Sequence, residues 1–274
     1  MRPDTDPVLA LINTADEPRV PRFRDRLRDF TWSWFSVTMS TGALAILLSM
    51  TPNRFPGLTT IGKVVFILDL LLFMVFVVMM IGRFMLVPSS FYHSLHNNTE
   101  ALFFGAFWVS IALILQNVEL YGQPYAGGWL TRALEICFWI YAASVFMVAV
   151  FQYYTLFAEE RLPVNNMMPV WILPIYPFIV AGPLAGVLLG SQPPEHSFPM
   201  LVGGVAFQGL GWVVAHFMYT IFIIRLMSGE LPDPPMRAGM YISVGPVCMY
   251  YVAPRPRYLP LISFKLILPW LWLF

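Results

Sequence analysis

Six apolar runs, at residues 31–50, 63–85, 101–120, 132–157, 169–190 and 201–227, constrain this chain more than any other feature. A hydrocarbon core about 30 Å thick is crossed by about 20 residues of helix. Lipid offers backbone amides no partner, so only helices or closed barrels span it. Each run is long enough, and short polar connections separate them. With 58% hydrophobic and 11% charged residues, and a mean hydropathy of +0.68, the 274-residue chain is too apolar for a water-soluble domain. The sequence predicts an all-α integral membrane protein with six full spans.

Six of the sixteen basic residues (Arg2, Arg19, Arg22, Arg24, Arg26 and Arg28) precede the first run. Others lie beside the connections after spans two, four and six (Arg83, Arg161, Arg225 and Arg237), whereas the connections after spans three and five hold none. Arg54 and Lys63 after span one are the exception. The positive-inside rule then places the N-terminus in the cytosol. This segregation orients the chain in a bilayer and gives no sign of a nucleic-acid partner. The Pro- and Asp-rich start lacks the short apolar stretch and small-residue site of a cleaved signal peptide. The expected divisions are a cytosolic tail at 1–29, a transmembrane region at 30–246 and a further apolar tail at 247–274.

In this topology the connection after span two, "SLHNNTE", faces the cytosol, which puts the sequon Asn97-Asn98-Thr99 out of reach of glycosylation. Asn98 or Thr99 is expected to cap span three, with Glu100 in its first turn. His93 and His96 share a helical face, but no cysteine or carboxylate pair accompanies them. Cys137 and Cys248 supply neither a disulfide scaffold nor a four-ligand metal set. No metal or cofactor site is expected, and no catalytic residue.

Glycines recur at the centres of the odd-numbered runs: Gly42 in "MSTGALA", Gly105 in "FFGAF", Gly182 in "IVAGPLAG" and Gly245 in "ISVGP". Their spacing, close to one helical hairpin each, predicts a repeated helix pair whose first member is broken or kinked. The fifth run also carries Pro169, Pro174, Pro177 and Pro183. A broken backbone persists in a bilayer only inside protein or against water, so this run reads as an inner, pore-lining helix. Gly182, Gly186 and Gly190 also form a small-residue ridge suited to helix packing. In span one, Ser33, Ser36 and Ser40 form one stripe, with Thr38 and Thr41 beside it. These hydroxyls either face a lumen, where they replace part of an anion's hydration, or bond to neighbouring helices and their own backbone. Asp69, Glu119, Glu135 and His216 are the ionisable residues within spans. For Asp69 and His216, a bundle-facing hydrogen bond or mutual pairing stands beside a proton relay.

"GGVAFQGLG" lacks the Lys-Ser/Thr ending of a phosphate-binding loop, and no nucleophile elbow or zinc-protease motif occurs, so an enzyme is not expected. A seven-helix receptor would expose its N-terminus, against the arginine placement.

Five stretches taken together, "DFTWSWFSVTMSTGALAILL", "SLHNNTEALFFGAFWVSIALIL", "MMPVWILPIYPFIVAGPLAG", "FQGLGWVVAHFMYTIFIIRLM" and "PPMRAGMYISVGP", resemble the tellurite-resistance/dicarboxylate transporter family. The closest likeness is to its fungal malic-acid branch, with sulfite efflux pumps and plant slow anion channels more distant. The resemblance covers residues 29–246. It implies ten helices in five hairpins around a central pore, odd helices inside, assembled as a homotrimer in the plasma membrane and passing small anions. On this reading Gly42, Gly105, Gly182, Pro183, Gly245 and Pro246 shape the inner helices, and Ser36, Ser40 and Thr41 offer donors to the substrate. Where relatives carry prolines, this chain has Asn98 and Gly105-Ala106, which predicts a softer kink. After Pro246 it departs from the family's pattern: residues 240–253 are too short to span, and the tail beyond holds Pro260, Lys265 and Pro269. The sequence reading therefore expects a C-terminally truncated family member. It carries malate-like dicarboxylates or, within the same family, sulfite, unless truncation leaves it non-transporting.

Overall fold

The computed structural model describes residues 23–97, 100–159, 167–228, 231–232 and 234–246. Residues 1–22, including Arg2, Arg19 and Arg22, and Asn98, Thr99, Arg161, Cys248 and the whole 247–274 tail lie outside them.

Every regular element is helical. A short helix α1 (Phe23–Arg28) precedes a 3-10 turn (Trp32–Trp34) that leads into α2 (Phe35–Met50). Next come α3 (Leu58–Leu86), the short α4 (Ser89–His96), α5 (Phe104–Gly122) and α6 (Gly128–Tyr154). A 3-10 helix at Pro169–Ile172 precedes α7 (Tyr176–Leu188), and α8 (Pro194–Ser228) leads to a 3-10 segment at Pro234–Ser243. Among the described residues five stretches are long and apolar enough to cross a membrane, and α7, at 13 residues, is shorter. The expected fifth span is therefore not one helix. Its break lies at 173–175 rather than at Gly182, where α7 runs on through Pro183. Pro174 and Pro177 lack the amides that would carry a helix across this join.

α2, α5 and α7 form a contiguous row, while α3 packs on α2, and α6 and α8 both pack on α7. Within the membrane-length windows α5 is 56% buried, against 17% for α3, 33% for α6 and 22% for α8. α7 is buried along nearly its whole length. α2, at 28%, leaves Val37, Leu44 and Leu47 exposed on one face.

Side chains of the outer helices meet the carbonyls around the interrupted fifth span. Tyr141 of α6 donates to the Pro177 carbonyl at 3.0 Å, Tyr153 of α6 to the Trp171 carbonyl at 3.4 Å, and Arg225 of α8 to the Met167 carbonyl. This bonding follows from the rule that backbone polar groups in lipid must find partners within the protein.

At the opposite flank an aromatic cluster joins α2, α3 and α5. Trp32 and Phe104 lie 4.7 Å apart edge to face, and fully buried Phe35 sits 5.1 Å from Phe107. Beside it Arg83, near the end of α3, pairs with Glu100 and donates to the Phe30 carbonyl at 2.7 Å. The pair thus ties the N-terminal segment, α3 and the start of α5 together. Glu100 was expected to favour the first turn of span three through the helix dipole, but its carboxylate is taken up by Arg83. Asn97 Oδ1 receives the Glu100 amide at 3.4 Å, and the expected caps Asn98 and Thr99 lie outside the described residues.

Both charges of the Arg83–Glu100 pair are about nine-tenths buried, so truncating one leaves the other uncompensated. Glu100→Ala is expected to destabilise the fold by about 3–5 kcal/mol. The paired change Arg83→Met with Glu100→Leu should recover most of the loss. Thermal unfolding in detergent checks both.

Candidate functional site

The inner row comes together at a cleft of about 260 Å³ lined by Met39, Tyr176, Tyr241, Ile242 and Gly245. Met39 belongs to α2, Tyr176 opens α7, and the other three come from the segment after α8, so three of the four glycine-marked segments meet here. No lining side chain is charged. A larger hollow of about 440 Å³, lined by Arg26, Asp29, Phe30, Trp34, Phe76 and Met79, lies against α3 rather than among the inner helices.

The marker glycines make close contacts. α2 passes through Gly42 without a break. A methyl group at Gly42 would lie 2.9 Å from Asp69 Oδ2 and 3.2 Å from Leu113 Cβ. One at Gly105 would fall on the backbone carbonyl of Leu173, where α5 crosses the interrupted fifth span. At Gly182 it would run into Gln208 of α8, and Gly204 of α8 answers by lying against Ala185 and Ala181. Gly245 admits the hydroxyl of Tyr176. Of the Gly182, Gly186 and Gly190 ridge in the sequence reading, Gly182 makes such a contact with another helix while Gly190 meets only Val187 of its own turn, and Gly42, Gly105 and Gly245 add close contacts of the same kind. Pro183 and Pro246 are both buried.

The hydroxyls of α2 divide. Thr38, fully buried, donates to the Phe35 carbonyl at 2.9 Å and shares a 2.8 Å contact with Ser110 of α5. Ser40 and Thr41 both return to the Val37 carbonyl at 2.8 Å, the backbone alternative left open above. Ser40 is exposed, while Ser36 and Thr41 are half-buried, so Ser36 and Ser40 border the open face of the row. The expected Asp69–His216 pairing is not formed: Asp69 is buried on α3, and its carboxyl receives no hydrogen bond, whereas His216 is exposed on α8. His96 stacks on Tyr92 at 3.9 Å.

Sequence reasoning missed Asn117. Fully buried on α5, it donates Nδ2 to the Gly42 carbonyl of α2 at 3.0 Å. It also missed Tyr121, whose hydroxyl donates to the Ala45 carbonyl one turn further on at 2.7 Å. A buried amide inside an otherwise apolar span was the available signal. Tyr219 of α8 holds the last segment in place by donating to the Ser243 carbonyl at 2.7 Å.

Five membrane-length apolar stretches among the described residues, packed around the short buried α7, define a multi-pass membrane protein. The family model of the voltage-dependent anion channels (SLAC1) matches residues 29–254, and the chain belongs to that family. The match runs eight residues past Pro246, where the sequence reading placed the departure from the family pattern. The chain is similar to the malic acid transport protein of Schizosaccharomyces pombe, 36% identical over 84% of this chain and 52% of the relative. A putative malic acid transport protein of the same yeast is 33% identical over 83% of this chain and 53% of the relative. The sulfite efflux pump SSU1 of Trichophyton rubrum is 29% identical over 81% of this chain and 59% of the relative. The chain thus spans about half the length of the two malic acid relatives. No solved structure matches it.

Gly182→Leu replaces a contact atom for atom against Gln208 with a branched side chain. It is expected to lower the amount of folded protein at the membrane or, where protein accumulates, to lower anion flux. Unchanged flux at an unchanged surface level, read by isotope uptake and surface biotinylation, contradicts the inner-helix assignment of α7.

Proposed function

We propose that this protein carries C4-dicarboxylate anions of the malate type across the plasma membrane, with its N-terminus in the cytosol. The observation that carries this reading is the meeting of α2, α7 and the segment after α8 at an uncharged, hydroxyl-bordered cleft in a chain whose most similar reported relative is named for malic acid transport. An anion that loses water on entering such a path needs donors, and this reading assigns that role to Ser36 and the Tyr176 hydroxyl, with Ser40 and Thr41 joining only by turning from the Val37 carbonyl to which they donate. Gly42, Gly105, Gly182, Pro183, Gly245 and Pro246 shape the path by setting how closely the inner backbones approach. Hydroxyls without a fixed cation favour weak, multi-site binding, which lets an anion leave as readily as it enters. No chemical step is involved, and the partners in this reading are the bilayer, the anion and two further copies in a homotrimer.

The orientation rests on charge. Arg24, Arg26, Arg28, Arg83 and Arg225 gather at one end of the helices, beside Phe30, Glu100 and Met167. Positive charge of this kind stays on the cytosolic side.

Sulfite efflux is the second reading, favoured by the 29% relative. Uptake of labelled malate by yeast lacking endogenous malate uptake tests both. Malate uptake that excess sulfite leaves unaltered supports the dicarboxylate reading. Sulfite export without malate uptake supports the second, and normal surface expression without flux of either anion overturns transport by this chain.

A further inference from the structure

We propose that Asp69 is a proton-binding site that sets how the inner helix α2 seats against α3 at Gly42. The carboxyl is fully buried in the interior of α3, and neither of its oxygens receives a hydrogen bond. It lies against Gly42 so closely that a methyl group there would be 2.9 Å from Oδ2. From α5, Asn117 reaches the same turn. Its amide donates to the Gly42 carbonyl at 3.0 Å and to the Leu113 carbonyl at 2.9 Å, and its Oδ1, also buried, is an acceptor without a donor. α3 therefore presses an oxygen acceptor onto a turn of α2 whose own amides are committed to the helix, while α5 satisfies that turn's Gly42 carbonyl and offers Asp69 no donor bond.

The surroundings give an ionised carboxylate nothing to pair with. α2 carries no titratable side chain. On α5 the titratable groups are Glu119 and Tyr121, and the Tyr121 hydroxyl is already given to the Ala45 carbonyl. On α3 itself, Lys63 bonds the Tyr125 hydroxyl near one end and Arg83 pairs with Glu100 near the other. The Arg24, Arg26 and Arg28 side chains of α1 and His93 and His96 of α4 pack around that second end. Among the described residues no ion pair reaches Asp69. A carboxylate accepts only, whereas a carboxylic acid brings its own donor. The proton is thus what makes the group compatible with its site, because charge buried in a span without a partner is strongly disfavoured.

The consequence falls on α2. With the proton bound, α3 and α2 stay in contact at Gly42. As pH rises through the carboxyl's titration in the folded protein, the contact gains a buried charge without a partner, and it is relieved by this turn of α2 moving off α3 or admitting water. α2 also carries Ser36 and Ser40, so the proton governs an inner helix from its lipid-side partner.

Two measurements on the full chain in lipid test this, and neither needs transport. The infrared spectrum at neutral pH is expected to contain a protonated-carboxyl band that is lost in Asp69→Asn and kept in Glu119→Gln. A spectrum in which Asp69→Asn removes no such band overturns the site. Should Asp69→Asn not accumulate, Asp69→Glu replaces it, and the band is then expected to shift. Amide hydrogen exchange of residues 35–50, taken as the ratio of the native chain to Asp69→Asn at each pH, is expected to rise several-fold as pH increases. A ratio that stays flat overturns the link between the proton and α2.

Discussion

A helix interrupted inside a bilayer must be wrapped in protein, because nothing in the hydrocarbon can bond the carbonyls that the interruption frees. The turn at 173–175 imposes this on the whole molecule. α7 cannot sit at the lipid boundary, so α5, α6 and α8 close around it, and the polar groups that serve its backbone come from neighbours: Tyr141 and Tyr153 on α6, Arg225 on α8. The inner and outer roles of the helices follow from that requirement. α3, which serves no broken backbone, keeps an almost wholly apolar outer face with Val64, Leu71 and Val78 exposed.

Burial alone does not bring helices together in lipid, since tails are as apolar as leucine; close van der Waals contact and a few interhelical hydrogen bonds must do so. The glycines supply the first. Gly105 against the Leu173 carbonyl lets α5 cross the break at backbone distance, and Gly182 with Gly204 does the same between α7 and α8. The second comes from a short series along α5: Ser110 reaches the Phe35 carbonyl, Asn117 the Gly42 carbonyl and Tyr121 the Ala45 carbonyl. Three side chains on one helix thus track successive turns of α2 and fix both its rotation and its height.

How much of this was legible in the sequence depended on the range of the interaction. The apolar runs and the proline density of the fifth run are local, so five of the six expected membrane-crossing runs and the interior place of the fifth were readable, whereas the fifth run's division into a 3-10 turn and a 13-residue helix was not. The glycine spacing pointed to the inner members of the hairpins, but the reason for each glycine lies on another helix. Gly42 meets Asp69 and Asn117, and Gly245 meets Tyr176, contacts that a single chain pattern does not encode. Hence the expected breaks at Gly42 and Gly182 gave way to unbroken helices in close contact. Glu100 looked like a first-turn acid because its partner Arg83 stands on a different helix, and Asn117 passed unnoticed as one amide in an apolar span. The hydroxyl stripe of α2 was visible, but only coordinates separate Thr38, bonded across to Ser110, from Ser40 and Thr41, folded back on Val37.

The same division explains why the cleft is free of charge while ionisable groups lie close by. Arg83 and Glu100 neutralise each other away from the lining, and Asp69 stands behind α2 rather than in front of it. Placing the one buried, unpaired acid of α3 behind an inner helix, in contact with its backbone at the single residue that lacks a side chain, lets its protonation change the helix's seat without setting a charge in the cleft.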